Sequence, residues 1–213
     1  MDSKGRRIER CPMFPLGSVL FPHGALPLQV FEPRYLVMVQ ECLDQNGPFG
    51  IVLIERGHEV GGGDVRFDAG TLASIASSGP IDDGRLAILA IGTHRISVNR
   101  WFDDDPYPIA DVTVFEDPSA TPSLAPMVDT ARRRRQRLVG LAIELGGTSG
   151  PIEIDIGDDP LAASWHLCNA APLPAYDRQT LLTIDDSTER MIRLTALLDL
   201  RIDDLERRLG SQQ

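Results

Sequence analysis

The chain has 213 residues, 42% of them apolar, and its 31 acidic against 21 basic residues leave a formal net charge of −10. That is enough apolar material for a buried core in one large domain or two small ones, while the acidic balance works against nonspecific nucleic-acid binding, which draws its affinity from clustered cations. No apolar run approaches the roughly 18 residues of a membrane-crossing helix, and no signal-like stretch follows the charged N-terminus, so a soluble, cytoplasmic protein is expected.

The first ten residues, MDSKGRRIER, are polar and mixed in charge and read as a loose lead-in. The stretch 14–35 then holds Pro15, Pro22, Pro27 and Pro33 with short apolar runs between them. Residues 19–21 and 26–31 have the composition of strands. Because proline removes a ladder donor, such strands belong at an edge or are irregular. At Glu32-Pro33-Arg34 the period changes. Glu32 suits a helix N-terminus, Pro33 suits the first helical position, and Tyr35, Leu36, Val39, Cys42 and Leu43 carry the apolar face of a helix over 33–45. A turn at Asn46-Gly47-Pro48 leads to residues 49–55, an apolar, branched run with the length of a buried strand.

Residues 56–63, RGHEVGGG, read as a surface loop, 70–77 as a strand and Asp82-Asp83-Gly84 as a turn. The run 85–101 predicts one bent strand or two, with Gly92 at the bend or bulge, and 108–115 alternates and ends the β-rich part. From residue 117 the composition shifts to a Pro/Ser connector, DPSATPSLAP, and then to helices. Leu124, Val128, Ala131, Leu138, Ala142 and Leu145 share one helical stripe, which Gly146-Gly147 ends. Asp159-Pro160 has the form of an N-cap and first position for a helix carrying Leu161, Trp165 and Cys168. Pro172 and Pro174 break it, a short helix over 175–183 follows, and a last one over 187–209 spaces Met191, Leu194, Leu198 and Ile202 by three or four. Pattern alone therefore gives an α+β chain, with a β-rich part over 1–117 that includes one helix and an α-helical bundle over 118–213.

Several pieces recur in a specific order: FPL at 14–16, VLFPHG at 19–24, LPL at 26–28, FEPRY at 31–35, FGIVLI at 49–54, GTLASI at 70–75 and DGRLAILAIGTHRISV at 83–98. The ordered set resembles the N-terminal substrate-binding domain of the Lon protease family over nearly the whole chain. The resemblance implies a β-pseudobarrel similar to PUA-type folds, with one helix, followed by a helical subdomain. It also implies a non-catalytic module that recognises polypeptide segments or a protein partner, as an adaptor, holdase or regulator in protein quality control, by strand-edge addition or groove docking. The likeness to PUA-type folds leaves RNA binding as the alternative, which the net charge opposes. The family's ATPase and protease domains have no counterpart in these residues, so a stand-alone module is expected.

Residue content bears on catalysis independently. A Ser-Lys protease and a P-loop both need a lysine, and the only one, Lys4, sits in the polar leader far from any phosphate-binding loop. Gly61-Gly62-Gly63 opens no helix and is flanked by Glu59 and Asp64, the wrong sign for an anion. His23, His58, His94 and His166 match no zinc spacing, and His166 and Cys168, two apart on a helix, point in different directions. Cys11, Cys42 and Cys168 are too few and too scattered for a disulfide framework, so reduced, buried thiols are expected. Asp82-Asp83 and Asp103-Asp104-Asp105 read as solvated turns, and no metal or cofactor is expected. Arg132, Arg133, Arg134 and Arg135, with Arg137, form the one basic cluster. Consecutive helical residues point around most of the circumference, and Arg135 falls in the apolar stripe, where it must pair or extend outward. The candidate peptide-binding residues are Val19, Phe21, Leu28 and Phe31, core wherever buried and contact surface wherever exposed, together with Glu32 and Arg34. For that last pair an ion pair or helix-start hydrogen bond stands beside direct ligand contact.

Overall fold

The computed structural model describes residues 5–57, 63–81, 84–147 and 150–211. Lys4, His58, Glu59, Gly61, Gly62, Asp82 and Asp83 lie outside the described residues. The chain divides into two compact units, Met1–Asp117 and Pro118–Gln213.

In the first unit the elements run β1 (Arg6–Leu16), β2 (Ala25–Val30), α1 (Pro33–Gln45), β3 (Phe49–Arg56), β4 (Val65–Pro80), β5 (Leu86–Trp101) and β6 (Ile109–Phe115). The sheet order is β2-β5-β4-β3-β1-β6, and β5 pairs with β6 as well. Five strands thus close a ring, with β2 attached outside it. Closure depends on two long strands that change partner midway. β5 holds β2 along its first half, from Leu86 to Ile91, and β6 along its second, from Arg95 to Trp101. β1 runs antiparallel to β6 from Arg6 to Pro12, then parallel to β3 from Met13 to Leu16. A bulge at Arg10 (φ 51°), whose N–H donates to Asp111 Oδ1 at 2.9 Å, interrupts the ladder to β6 between Ile8 and Cys11.

The second half of β1 and the first five residues of β3 are buried on both faces, which explains their apolar runs. One face, with Phe14, Phe49 and Ile51, packs on Tyr35, Met38, Val39 and Cys42 of α1. The other, with Cys11, Met13 and Val52, meets Leu72, Ile96, Val112 and Val114 of the neighbouring strands.

Two expectations are corrected. From Arg6 on, the supposed lead-in is the first half of β1, because its pairing with β6 is made by backbone groups while Arg6, Arg7 and Glu9 keep their side chains in solvent; residues 1–4 of it lie outside the described residues. Residues 19–21 are not a strand. Leu20 and Phe21 are buried because the chain crosses under the sheet there, its carbonyls caught by Thr71 Oγ1 (to Leu20 O, 2.6 Å) and by Gly24 N–H (to Phe21 O, 3.0 Å). Pro22 and the left-handed His23 (φ 59°) then turn the chain into β2. The bulge expected at Gly92 falls beside it at Thr93, the extra residue between the Leu72–His94 and Ala73–Gly92 pairs, and the run forms one strand, Leu86–Trp101.

The second unit consists of α2 (Leu124–Glu144), α3 (Pro160–Ala170), α4 (Ala175–Thr183) and α5 (Ser187–Gly210). Asp159 and Asp186 cap α3 and α5 through bonds from Ala162 N–H (2.9 Å) and Glu189 N–H (2.8 Å). α2 and α5 run parallel: the Thr121 and Thr188 hydroxyls lie 3.1 Å apart, Arg134 meets Asp199 at 2.9 Å, and Arg137 meets Glu206 further along. Parallel neighbours need a long crossover, and α3 and α4 are carried on it. Arg135 does pair as the stripe requires, with carbonyls rather than an acid. Almost fully buried, it donates to the oxygens of Ala170 (2.9 Å), Ile152 (3.0 Å) and Pro151 (3.0 Å).

All three cysteines are free and buried, and burial pushes the thiols up to about 12 for Cys11, about 11 for Cys42 and about 12 for Cys168. Native protein near pH 8 should therefore resist a maleimide and take up three labels per chain once denatured, read by intact mass. Rapid labelling of the native protein would contradict this packing.

Candidate functional site

Among the described residues β2 bonds a single neighbour, β5, and its other edge is open. The phase of that edge follows from the bond of Gly92 N–H to the Gly24 carbonyl at 2.9 Å. In an antiparallel ladder alternate residues turn both backbone groups the same way. Leu26, Leu28 and Val30 therefore face β5, and Ala25, Pro27 and Gln29 face the open edge. Pro27 has no N–H to offer there, and an edge is where a sheet tolerates proline. The expectation that proline marks this strand as an edge agrees with the topology. Side chains alternate across the sheet: Leu26 and Leu28 are half-buried and Val30 fully buried, whereas Ala25, Pro27 and Gln29 point to solvent.

Beside β2 lies a groove of about 210 Å³. Phe14 and Leu16 of β1 and Tyr35 of α1 form one side, and Leu28, Val30 and Phe31 the other. Phe14 and Tyr35 are stacked with centroids 4.2 Å apart, so this wall is rigid. Phe31 is 54% exposed, an unusual state for a large aromatic side chain. The volume is below the roughly 300–1,000 Å³ of ordinary small-molecule sites and matches one or two apolar side chains.

The helix start sets the groove's charged end. Glu32 occupies the N-cap of α1 with an extended backbone (φ −71°, ψ 132°) and makes no capping bond. Its Oε2 instead accepts from Arg34 Nε at 3.1 Å and stands at ion-pair distance, 3.1 Å, from Nη2, and the guanidinium lies 4.5 Å from the Tyr35 ring centre. The ion pair is thus realised. A second cluster sits within electrostatic reach: Arg66, 4.8 Å over the Trp101 ring, bridges Asp64 (2.6 Å) and Asp104 (2.5 Å). Burial pushes the Tyr35 phenol up to about 12, with Arg34, Glu32, Asp64 and Arg66 acting on it in opposite directions. Burial also works against ionisation of Asp64, but the bond from Arg66 outweighs it and holds that carboxyl below the usual range.

The structure divides the six candidate residues. Leu28, Phe31 and Glu32 line the groove, and Arg34 braces it through Glu32 and Tyr35. Val19 and Phe21 are 4% and 0% exposed, in the buried crossing that precedes β2, and do not line the groove. Phe14 and Leu16 of β1 and Tyr35 of α1 escape sequence reasoning as groove residues, because which faces of β1 and α1 meet β2 is not visible before the register is known.

Outside the groove, three of the five arginines of the α2 cluster meet acids, while Arg133 bonds the Thr130 hydroxyl. Arg132 meets Asp129 at 2.9 Å, Arg134 meets Asp199 at 2.9 Å, Arg137 meets Glu206, and Arg135 is buried. His94 Nε2 lies 3.4 Å from Glu116, and Asp104 belongs to the Arg66 cluster. Among the described residues no three of His, Cys, Asp and Glu converge as metal ligands, and no helix is long and apolar enough to cross a membrane.

A family model described as the substrate-binding domain of the ATP-dependent protease La (LON) matches residues 10–199. The chain belongs to the Lon substrate-binding domain family. Lon protease of Escherichia coli K12 is 26% identical over 216 residues, covering 95% of this chain and 26% of that protein. Lon protease 2 of Herpetosiphon aurantiacus is 24% identical over 199 residues, covering 92% and 24%. The chain thus spans about a quarter of the length of the curated relatives it matches. Among solved structures, a Lon N-terminal domain protein from Xanthomonas campestris is similar with TM-score 0.65 and 28% identity over 89% of this chain and 98% of that one. The N-terminal domain of Mycobacterium avium complex Lon protease shares the fold at TM-score 0.61 and 17% identity, over 91% of this chain and 98% of that one. The groove of this Lon-family chain is built from segment 14–35, the densest part of the ordered motifs.

Proposed function

We propose that this Lon-family chain is a non-catalytic polypeptide-binding module, serving as an adaptor or regulator in protein quality control, and that polypeptide segments enter the groove beside β2. The observation that carries the reading is the combination of an exposed Phe31, a rigid Phe14–Tyr35 wall and an unshared strand edge. Apolar side-chain pockets beside open backbone are what extended peptides use. The matched family region, described as substrate-binding, supports the same reading. The ionisable groups at the groove are tied up with one another, and the thiols are buried, which supports a binding role over a catalytic one.

Titrating the full chain with fluorescent unfolded model proteins and an extended-peptide library is expected to give saturable binding. Phe31→Ser should weaken it about tenfold, as loss of a central aromatic anchor does. Because Phe31 is already 54% exposed, the melting temperature should barely move. Absence of saturable binding to any unfolded chain would remove the proposal.

A further inference from the structure

We infer that the bound segment adds to β2 as a further strand, and that its chemistry is an apolar run of alternating pattern flanked by basic residues; this rests on the polypeptide-binding reading above. Three observations combine. The open edge of β2 offers both backbone groups at Ala25 and Gln29 and a carbonyl at Pro27, a ladder with one missing donor. Side chains of an added strand alternate in the same plane as Leu28 and Val30, so every second one falls toward the 210 Å³ groove. Glu32, the one acidic side chain lining that groove, is neutralised by Arg34, but the unit over 1–117 carries 17 acidic against 10 basic residues, so the groove sits in a net negative field. Cationic flanks are therefore drawn in, and acidic ones repelled.

A second copy of this chain is a poorer occupant. β2 has six residues, about 20 Å of strand, and one of its three outward positions is proline. A stable self-pairing needs on the order of 800 Å² buried per partner, more than so short and interrupted an edge provides. A peptide needs far less surface.

The test uses the full chain and labelled ten-residue peptides with alternating valine and leucine, flanked by arginine, serine or glutamate pairs, read by fluorescence anisotropy at low and moderate salt. The arginine-flanked peptide should bind about tenfold tighter than the glutamate-flanked one, with the gap closing as salt rises. N-methylating one alternate set of its amides should cost about tenfold, and methylating the other set should cost little, because only one set faces β2. Gln29→Pro, which removes an outward N–H while leaving the ladder to β5 intact, should weaken binding at unchanged melting temperature. Leu28→Arg, which fills the groove, should do the same if the fold tolerates it, and Gln29→Pro carries the test if it does not.

Equal losses from both methylation sets would overturn strand addition, and equal affinity for all flanks would overturn the basic partner, while either result leaves polypeptide binding standing. Unfolded proteins that bind while every short peptide fails would move the site away from β2. A concentration-dependent dimer that peptide does not dissociate in sedimentation would give the edge to a second copy and also overturn the proposal. Failure of unfolded proteins and peptides alike would end both readings.

Discussion

Gly92→Ala is expected to destabilise the first unit by about 3 kcal/mol or more. A Cβ at this position would stand 2.2 Å from the Phe21 carbonyl oxygen and 3.0 Å from its carbon, both backbone atoms that no rotamer change can move aside. The only relief is to push away the buried crossing that precedes β2. That crossing is tied to the sheet by His23 N–H to Gly92 O and Gly92 N–H to Gly24 O, each 2.9 Å, and by the Thr71 hydroxyl to Leu20 O at 2.6 Å. Displacement therefore costs hydrogen bonds as well as packing. Thr71→Val, which loses the last bond but keeps the volume, should cost about 1–2 kcal/mol. Urea unfolding followed through Trp101, the tryptophan of this unit, measures both. A Gly92→Ala protein within about 0.5 kcal/mol of the parent would show that the crossing does not lie against β5 as described.

In the second unit the largest effect should come from Arg190. It is fully buried, its guanidinium lies 3.4 Å from the centre of the Trp165 ring, and it donates to Ile184 O at 3.0 Å and to Ser164 Oγ at 3.3 Å. Arg190→Ala empties the space against Trp165 and strands the Ile184 carbonyl, at a cost of about 3–5 kcal/mol. Arg190→Met restores volume without the donors and should recover roughly half of the loss, because burying an apolar chain costs nothing in desolvation. Trp165 fluorescence during denaturation reports both. Equal losses for alanine and methionine would mean that the hydrogen bonds dominate and that packing on the indole contributes little.

Much of the fold is legible locally. α1 announces itself at Glu32-Pro33 and stops at the left-handed Asn46 (φ 47°), and α3 opens at Asp159-Pro160, because caps and prolines act within one turn of where they stand. What stayed hidden depends on partners far away in the chain. Arg6 and Arg7 look like a polar leader, and only their backbone pairing with Val114 and Thr113 makes them strand. Residues 19–21 are as apolar as a strand because they are as buried as one, and an apolar run does not distinguish a ladder from a crossing. At the groove, Pro27 marked the edge and segment 14–35 marked the neighbourhood. The division of Leu28 and Phe31 from Val19 and Phe21 needed the alternation of β2, and the wall of Phe14 and Leu16 needed β1. Arg190 carried no signal at all, since an arginine in a helix reads as solvent-facing until its neighbours are known.

The joining of the first strand to the last has a consequence for biosynthesis. Arg10 and Asp111, bonded at the bulge in the middle of that seam, are 101 positions apart in the chain. During translation the early strands leave the ribosome long before β6 exists to complete their ladder, so apolar β1 and β3 wait in a half-made sheet. Closure late in synthesis makes the unit slow to assemble, its apolar strands exposed meanwhile. Nascent chains arrested before Ile109 has emerged should therefore remain protease-sensitive throughout, and become resistant together once Phe115 is free of the tunnel.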